Sequence, residues 1–240
     1  MKNEDRAAEL ARIFSEAGCG PPNYSEEKIQ SSPLPNLICT LPGSSQYSIV
    51  VTAHYDKRGP GEGAIDDWSG ASLLPALYES LRGAARRLTF QFIAFTDEEK
   101  GLIGSRDHVQ HLSHDQRSLI LLDVNIDCIG LEGPIRIWAD RAGDSLMTAA
   151  AITADRTKVG LGGISMGERY DSDASAFSLW RIPVIDFHAL TGDRLRLLHS
   201  KRDVRGALDA KSYYDHYRFL AAFLAYLDET LPLPGQRSTR

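Results

Sequence analysis

The chain has 240 residues, of which 42% are hydrophobic and 25% are charged, and its formal net charge is −5. These values are typical of a soluble globular protein and provide no basic surface for nucleic acid. The longest apolar run, Phe219 to Leu227, is too short to span a bilayer, and the polar amino terminus does not resemble a signal peptide. Composition is uniform, so we expect one domain over residues 1–230 and a flexible tail over 231–240.

The chain contains three cysteines, Cys19, Cys39 and Cys128, an odd number without the spacing of a metal site. Disulfides persist mainly in oxidising compartments. We therefore expect three reduced, buried thiols and a cytoplasmic location.

Helix-like and strand-like segments alternate along the chain. The first helix is predicted over 3–18, and strands over 36–41 and 47–53 follow it, joined by a turn that predicts their pairing. Strands separated by helices favour a three-layer α/β/α fold around a mostly parallel mixed sheet. The remaining predicted strands are 88–95, 119–126, 134–139 and 182–187, and the remaining helices are 69–81, 102–112, 144–154, 173–180 and 212–227.

Polar clusters stand where predicted strands end. His54 and Asp56 follow the second strand, and Glu98 and Glu99 follow the third. The carboxyl ends of neighbouring parallel strands meet at one edge of a sheet, so these side chains should converge on one crevice. Imidazole nitrogens and carboxylate oxygens are ligands that zinc accepts.

Each cluster also has an ordinary structural interpretation. Asp56 can orient a metal-binding His54 through the other ring nitrogen, or the two can pair for packing alone. Asp66 can bridge two cations, whereas Asp67 is suited to cap the helix that follows. The glutamate pair can be a solvated acidic loop. Taken singly, these motifs are weak evidence for chemistry.

Five short motifs occur along the chain. Each alone is weak evidence for a function, but the presence of all five in this order is specific. They are His-Tyr-Asp at 54–56, Gly-Ala-Ile-Asp-Asp-Trp-Ser-Gly at 63–70, Asp-Glu-Glu-Lys-Gly-Leu-Ile-Gly-Ser at 97–105, Asn-Ile-Asp-Cys-Ile-Gly at 125–130 and His-Ser-Lys-Arg-Asp at 199–203. Together they resemble the cocatalytic di-zinc exopeptidase family, which includes bacterial leucyl aminopeptidases and, more distantly, glutaminyl cyclases. The resemblance extends over residues 36–203.

The resemblance implies a zinc-exopeptidase architecture of the phosphorylase/hydrolase-like type and an aminopeptidase acting on peptides or small amides. Two zinc ions would share a bridging water, Glu98 would act as general base, and Asp56 would orient the metal histidine. The family also has a cis peptide bond after its bridging aspartate, here between Asp66 and Asp67. The implied metal ligands are His54 and Asp127 for one zinc, Glu99 and His199 for the other, and Asp66 for both.

The substrate pocket is less defined by the sequence. Met166, Tyr170 and Phe177 are predicted to contact substrate, although apolar residues there suit a core equally well. Arg194 and Arg196 either meet a substrate carboxylate or are simply solvated.

Two positions depart from the family pattern. Ala174 stands where a histidine is common, and Trp68 stands where a small residue is common. Both could reshape the pocket, so the substrate stays open. The alternatives are a glutaminyl-peptide cyclotransferase, a carboxypeptidase or amidohydrolase, and a metal-free binding module on the same fold.

Overall fold

A mixed β-sheet forms the centre of the computed structural model, which describes residues 1–163 and 171–235. Within these ranges the sheet has eight strands in the spatial order 1-2-4-3-5-8-6-7. The three-layer α/β/α prediction is confirmed. In chain order the strands are β1 (Tyr24–Glu27), β2 (Asn36–Leu41), β3 (Ser48–His54), β4 (Thr89–Phe95), β5 (Ile120–Ile126), β6 (Ile135–Asp140), β7 (Leu161–Gly163) and β8 (Val184–His188).

Helices cover both faces of the sheet. They are α1 (Asn3–Glu16), α2 (Ser69–Ala71), α3 (Leu73–Arg82), α4 (Ile103–His111), α5 (His114–Ser118), α6 (Gly143–Thr157), α7 (Asp173–Leu179) and α8 (Ala210–Thr230). Helices α1, α3, α6 and α8 contribute to the larger hydrophobic core, and α4 and α7 contribute to the smaller one. No helix in the described ranges is long and apolar enough to cross a membrane.

The four central strands, β4, β3, β5 and β8, are parallel. Side chains of β3 alternate between the two cores, with Ile49 and Val51 in the larger core and Val50 in the smaller one. This burial on both faces explains the continuous apolar runs in the sequence. It also places the carboxyl ends of neighbouring strands at one edge, where the polar clusters follow.

The predicted hairpin between residues 36–41 and 47–53 is wrong. Strand β2 pairs antiparallel with β1 and with β4, while β3 pairs with β4 and β5. The turn after β2 therefore leads to β3 on the far side of β4, which lies between them. The short elements β1, β7 and α5 were not predicted, because a few residues give no clear periodicity.

The prediction of three reduced thiols is also wrong. Cys19 and Cys39 form a disulfide that joins the end of α1 to β2, and Cys128 is free and buried. The odd count concealed the pair, since sequence alone does not show which cysteines meet. The cytoplasmic location loses this support and stays a prediction.

The carboxyl-terminal tail was expected to be loose from residue 231 onward. In the structure Leu231 and Leu233 instead pack against the larger core. Residues 236–240 lie outside the described ranges.

Candidate metal centre

The site is built at the ends of three neighbouring parallel strands. His54 is the last residue of β3, Glu98 and Glu99 lie in a 3₁₀ turn just after β4, and Asp127 directly follows β5. His54 and Asp127 are buried at 2% and 4% exposure, although both carry polar groups. The convergence expected from the sequence is therefore present.

Asp56 connects the first strand end to the second. Its two carboxylate oxygens accept hydrogen bonds from the backbone N–H groups of Glu98 at 3.0 Å and Glu99 at 3.3 Å. Asp56 Oδ1 also lies 3.4 Å from His54 Nδ1, which leaves His54 Nε2 facing the site. This one carboxylate therefore orients the histidine and fixes the turn that carries both glutamates.

Asp66 lies between two histidines that come from distant parts of the chain. Its Oδ1 is 3.2 Å from His54 Nε2, and its Oδ2 is 3.2 Å from His199 Nε2. His199 Nε2 is also 2.7 Å from Glu99 Oε2. One carboxylate with an oxygen directed toward each histidine has the arrangement needed to bridge two cations.

Asp67 performs the other task that the sequence suggested. Its Oδ1 accepts hydrogen bonds at 2.9 Å from the backbone N–H groups of Gly70 and Cys128. It therefore caps the turn before α2 and connects it to the end of β5. The peptide bond between Asp66 and Asp67 is cis, which confirms the expectation drawn from the family resemblance.

The loop that carries His199 packs against residues 59–63, which include three glycines. A Cβ atom on Gly59 would lie 2.4 Å from the carbonyl oxygen of His199, so only glycine permits this approach. Asp203 then accepts hydrogen bonds from the backbone N–H of Ile65 at 2.7 Å and of Asp66 at 3.4 Å. These contacts fix the distance between Asp66 and His199.

The site contains more carboxyl groups than its own basic side chains can neutralise. Burial raises the pKa of Asp127 to about 8, an increase that His54 opposes and Asp66 reinforces. Burial likewise raises the pKa of Glu98 to about 10, opposed by His54 and reinforced by Asp173. Burial would also raise the pKa of Asp66, but hydrogen bonds from His199 and His54 outweigh it and leave that pKa below its usual value.

This excess of buried carboxylates fits metal cations. The ligand atoms of Asp66, Glu99 and His199 lie within 4.8 Å of one another, as do those of His54, Asp67 and Asp127 and those of Asp66, Asp127 and Cys128. Asp127 Oδ1 and Glu99 Oε1 are buried without a hydrogen-bond partner among the described residues. Histidine nitrogens with carboxylate oxygens form a donor set that zinc accepts, so the residues fit that metal.

The sequence profile of Peptidase family M28 matches residues 36–224, which include every candidate ligand of this site. The chain belongs to Peptidase family M28. It is 37% identical over 82 residues to aminopeptidase YwaD of Bacillus subtilis, a stretch that is 34% of this chain and 18% of that longer protein.

Solved structures share the fold of this M28 chain. The LapA aminopeptidase of Legionella pneumophila superposes with a TM-score of 0.79 at 23% identity, covering 95% of this chain and 66% of LapA. An Acidobacteriales bacterium glutaminyl cyclase superposes with a TM-score of 0.72 at 18% identity and covers 95% of both chains. At these identities the likeness establishes the architecture alone.

An open cleft of about 300 Å³ lies over the M28 site. Arg106 and Asp171 line it, and sequence reasoning singled out neither. Arg106 directly follows the motif at 97–105 and lies in the first turn of α4, a position that could have drawn attention to it. The other lining residues are His54, Asp66, Glu98, Glu99, Gly101, Leu102, Asp127, Cys128, Leu198 and His199.

One of the three predicted substrate-contacting residues, Phe177, needs correction. Phe177 is fully buried in the smaller core, with its ring 6.1 Å from that of Phe95, so it packs the interior and does not line the cleft. An apolar residue on α7 satisfies the core first. Met166 and Tyr170 lie outside the described residues.

The other predicted pocket positions also lie elsewhere. Arg194 donates a hydrogen bond to the carbonyl oxygen of Glu132 and, like Arg196, is not among the side chains lining the cleft. Ala174 is fully buried in the smaller core. Trp68 lines a separate cavity, which it shares with Arg6 and Tyr213. Neither departure from the family pattern therefore shapes the described part of the cleft.

Proposed function

We propose that this M28 protein is an aminopeptidase that holds two zinc ions and removes N-terminal residues from short peptides. The observation that carries the proposal is Asp66, whose two oxygens each face a different histidine at 3.2 Å. Zinc bound on both sides would polarise the scissile carbonyl and acidify the attacking water. The ligands assigned from the family motifs are His54, Asp127, Glu99, His199 and the shared Asp66.

Glu98 supplies the proton transfer. Its Oε2 lies 3.9 Å from His54 Nε2, and its side chain lines the open cleft. Glu98 therefore lies beside the ligands without being needed as one. Bound cations would lower its raised pKa, and the ionised carboxylate would then take the proton of the attacking water and return it to the leaving amine. Asp56 keeps this base in place by accepting the backbone N–H of Glu98 at 3.0 Å.

The Glu98→Gln variant tests this assignment. Glutamine keeps the shape but cannot accept the proton, so we expect kcat to fall by roughly 10²–10⁴-fold while bound zinc stays at the wild-type level. Turnover and metal content are measured on the same preparation. Wild-type turnover in the variant would remove Glu98 from the mechanism.

The reaction class is tested with a substrate panel, with and without added zinc. Aminoacyl chromogenic amides and free dipeptides should be cleaved, whereas peptides with a blocked amino group should not. Cyclisation of an N-terminal glutamine peptide without release of an amino acid would assign the protein to the cyclotransferases instead. Release of C-terminal residues from amino-blocked peptides would assign it to the carboxypeptidases. Failure of the purified protein to bind zinc would favour a binding module.

A further inference from the structure

Arg6, on the helix farthest from the metal motifs in sequence, is buried beside the metal centre. Its side chain is 1% exposed, a rare state for arginine. The guanidinium donates to the carbonyl oxygens of Tyr55, of Glu62 at 3.0 Å and of Gly63 at 3.1 Å. It also lies 4.9 Å from the ring centroid of Trp68.

These carbonyl groups belong to the two segments that present metal ligands. Tyr55 stands between His54 and Asp56, and Gly63 opens the turn that contains Asp66. The planar fork of a guanidinium fixes the separation and angle of the groups it contacts, which a lysine ammonium does not. Arg6 therefore holds the end of β3 at a set distance from the bridging turn.

The fit around this guanidinium is close. A Cβ atom on Gly63 would lie 2.9 Å from Arg6 Nη1, and Gly63 has a left-handed φ of +66°. Trp68 covers the other side of Arg6, which explains why a large residue stands where the family commonly has a small one. Arg6 and Trp68 therefore pack against each other beside the site.

The positive charge of Arg6 does not by itself explain its effect on the metal site. Burial lowers the pKa of Arg6, while Asp67, Asp56, Asp203 and Asp66 act in the opposite direction. A fixed positive charge near a cation site repels the incoming metal. Loss of that charge would tighten zinc binding, whereas loss of the carbonyl contacts would loosen it, so the two roles predict opposite signs.

We infer that Arg6 is a positioning residue for the metal centre, holding the His54 and Asp66 segments in ligand geometry through their backbone carbonyls. The inference rests on the proposed zinc site. It makes helix α1, which lies outside the matched M28 segment, part of that site.

The test measures zinc affinity by competition with a chromogenic chelator, so it does not depend on turnover. The variants are Arg6→Lys, which keeps the charge and loses the fork, and Arg6→Gln, which loses both. Arg12→Gln is the matched control, because Arg12 lies on the same helix with its side chain 53% exposed and paired with Glu9 and Glu16. Circular dichroism establishes that each variant is folded.

We expect both Arg6 variants to bind zinc about 10–100-fold more weakly than wild type, with Arg12→Gln unchanged. Equal affinity in Arg6→Lys, or tighter binding in Arg6→Gln, would overturn the inference. Failure of both variants to fold in the presence of zinc would also overturn the inference, because Arg6 would then be required for folding of the whole domain. If wild type itself bound no zinc, the proposed function would fail first, and the two failures are thereby distinguished.

Discussion

Arg106 is the only lysine or arginine among the described side chains that line the cleft, where several carboxylates surround it. It is exposed and forms no ion pair with any described residue. A free peptide carries a carboxylate at the end opposite its free amino group. If the substrates are short peptides, we expect Arg106 to bind this carboxylate, because a guanidinium matches carboxylate geometry.

The Arg106→Gln variant should therefore discriminate between substrates. We expect KM for free dipeptides to rise about tenfold, the effect of losing about 1.4 kcal/mol of binding. KM for aminoacyl anilides, which have no carboxylate, should not change. Arg194→Gln is the control, because Arg194 does not line the cleft. Equal effects on both substrate types would show that Arg106 does not bind the carboxylate.

The candidate metal ligands were easier to predict from the sequence than the hydrogen bonds that support them. His54, Glu99 and His199 were assigned through the resemblance that the five motifs carry, and the structure brings them together with Asp66. Arg6 was not predicted, since a lone arginine in an amphipathic helix looks solvated. Its burial follows from carbonyl groups more than 45 residues away in sequence, which no local pattern reveals.

At the scale of elements, α1 is attached to the sheet by two different means. Arg6 near its amino end contacts the metal-binding segments, and the disulfide between Cys19 and Cys39 joins its far end to β2. The central parallel strands could be predicted from their apolar runs. The hairpin error arose because pairing between β2 and β4 is a long-range choice, which a local turn signal does not determine.

The disulfide predicts a measurable dependence on reducing agent. The two cysteines are 20 residues apart, and closing a loop of that size stabilises a protein by about 3 kcal/mol. Replacing both Cys19 and Cys39 with serine should lower Tm, at roughly 2–4 °C per kcal/mol for a domain of this length. Thermal denaturation measures the change.

The control uses dithiothreitol. Wild type should lose stability in its presence, while the double variant, which retains only the buried Cys128, should show no further loss. A wild-type Tm that is independent of reductant would indicate that the two thiols do not pair in solution.

At the scale of the whole molecule, the metal site couples folding to pH. The carboxyls of Glu98 and Asp127 have folded-state pKa values raised to about 10 and about 8, above unfolded values near ~4. A raised folded pKa gives stability that is fully present below the unfolded value and is lost as pH rises through the folded value. His199, whose pKa is raised by its hydrogen bond to Asp66, acts in the same direction.

Chelator-treated protein should therefore have a lower Tm at pH 8.5 than at pH 5.5. Zinc should reverse this trend, because its ligands must be deprotonated and the metal then balances their charge. The zinc-induced rise in Tm should accordingly be larger at pH 8.5. A metal-free protein that is more stable at pH 8.5 would contradict the electrostatic description of the site.

The most direct test of the account is anomalous diffraction at the zinc edge from zinc-loaded crystals. The proposed function predicts two peaks, one beside His54 and Asp127 and the other beside Glu99 and His199, with the carboxylate of Asp66 between them. A single peak with Asp66 bound on one side only, or no peak at this edge of the sheet, would contradict it.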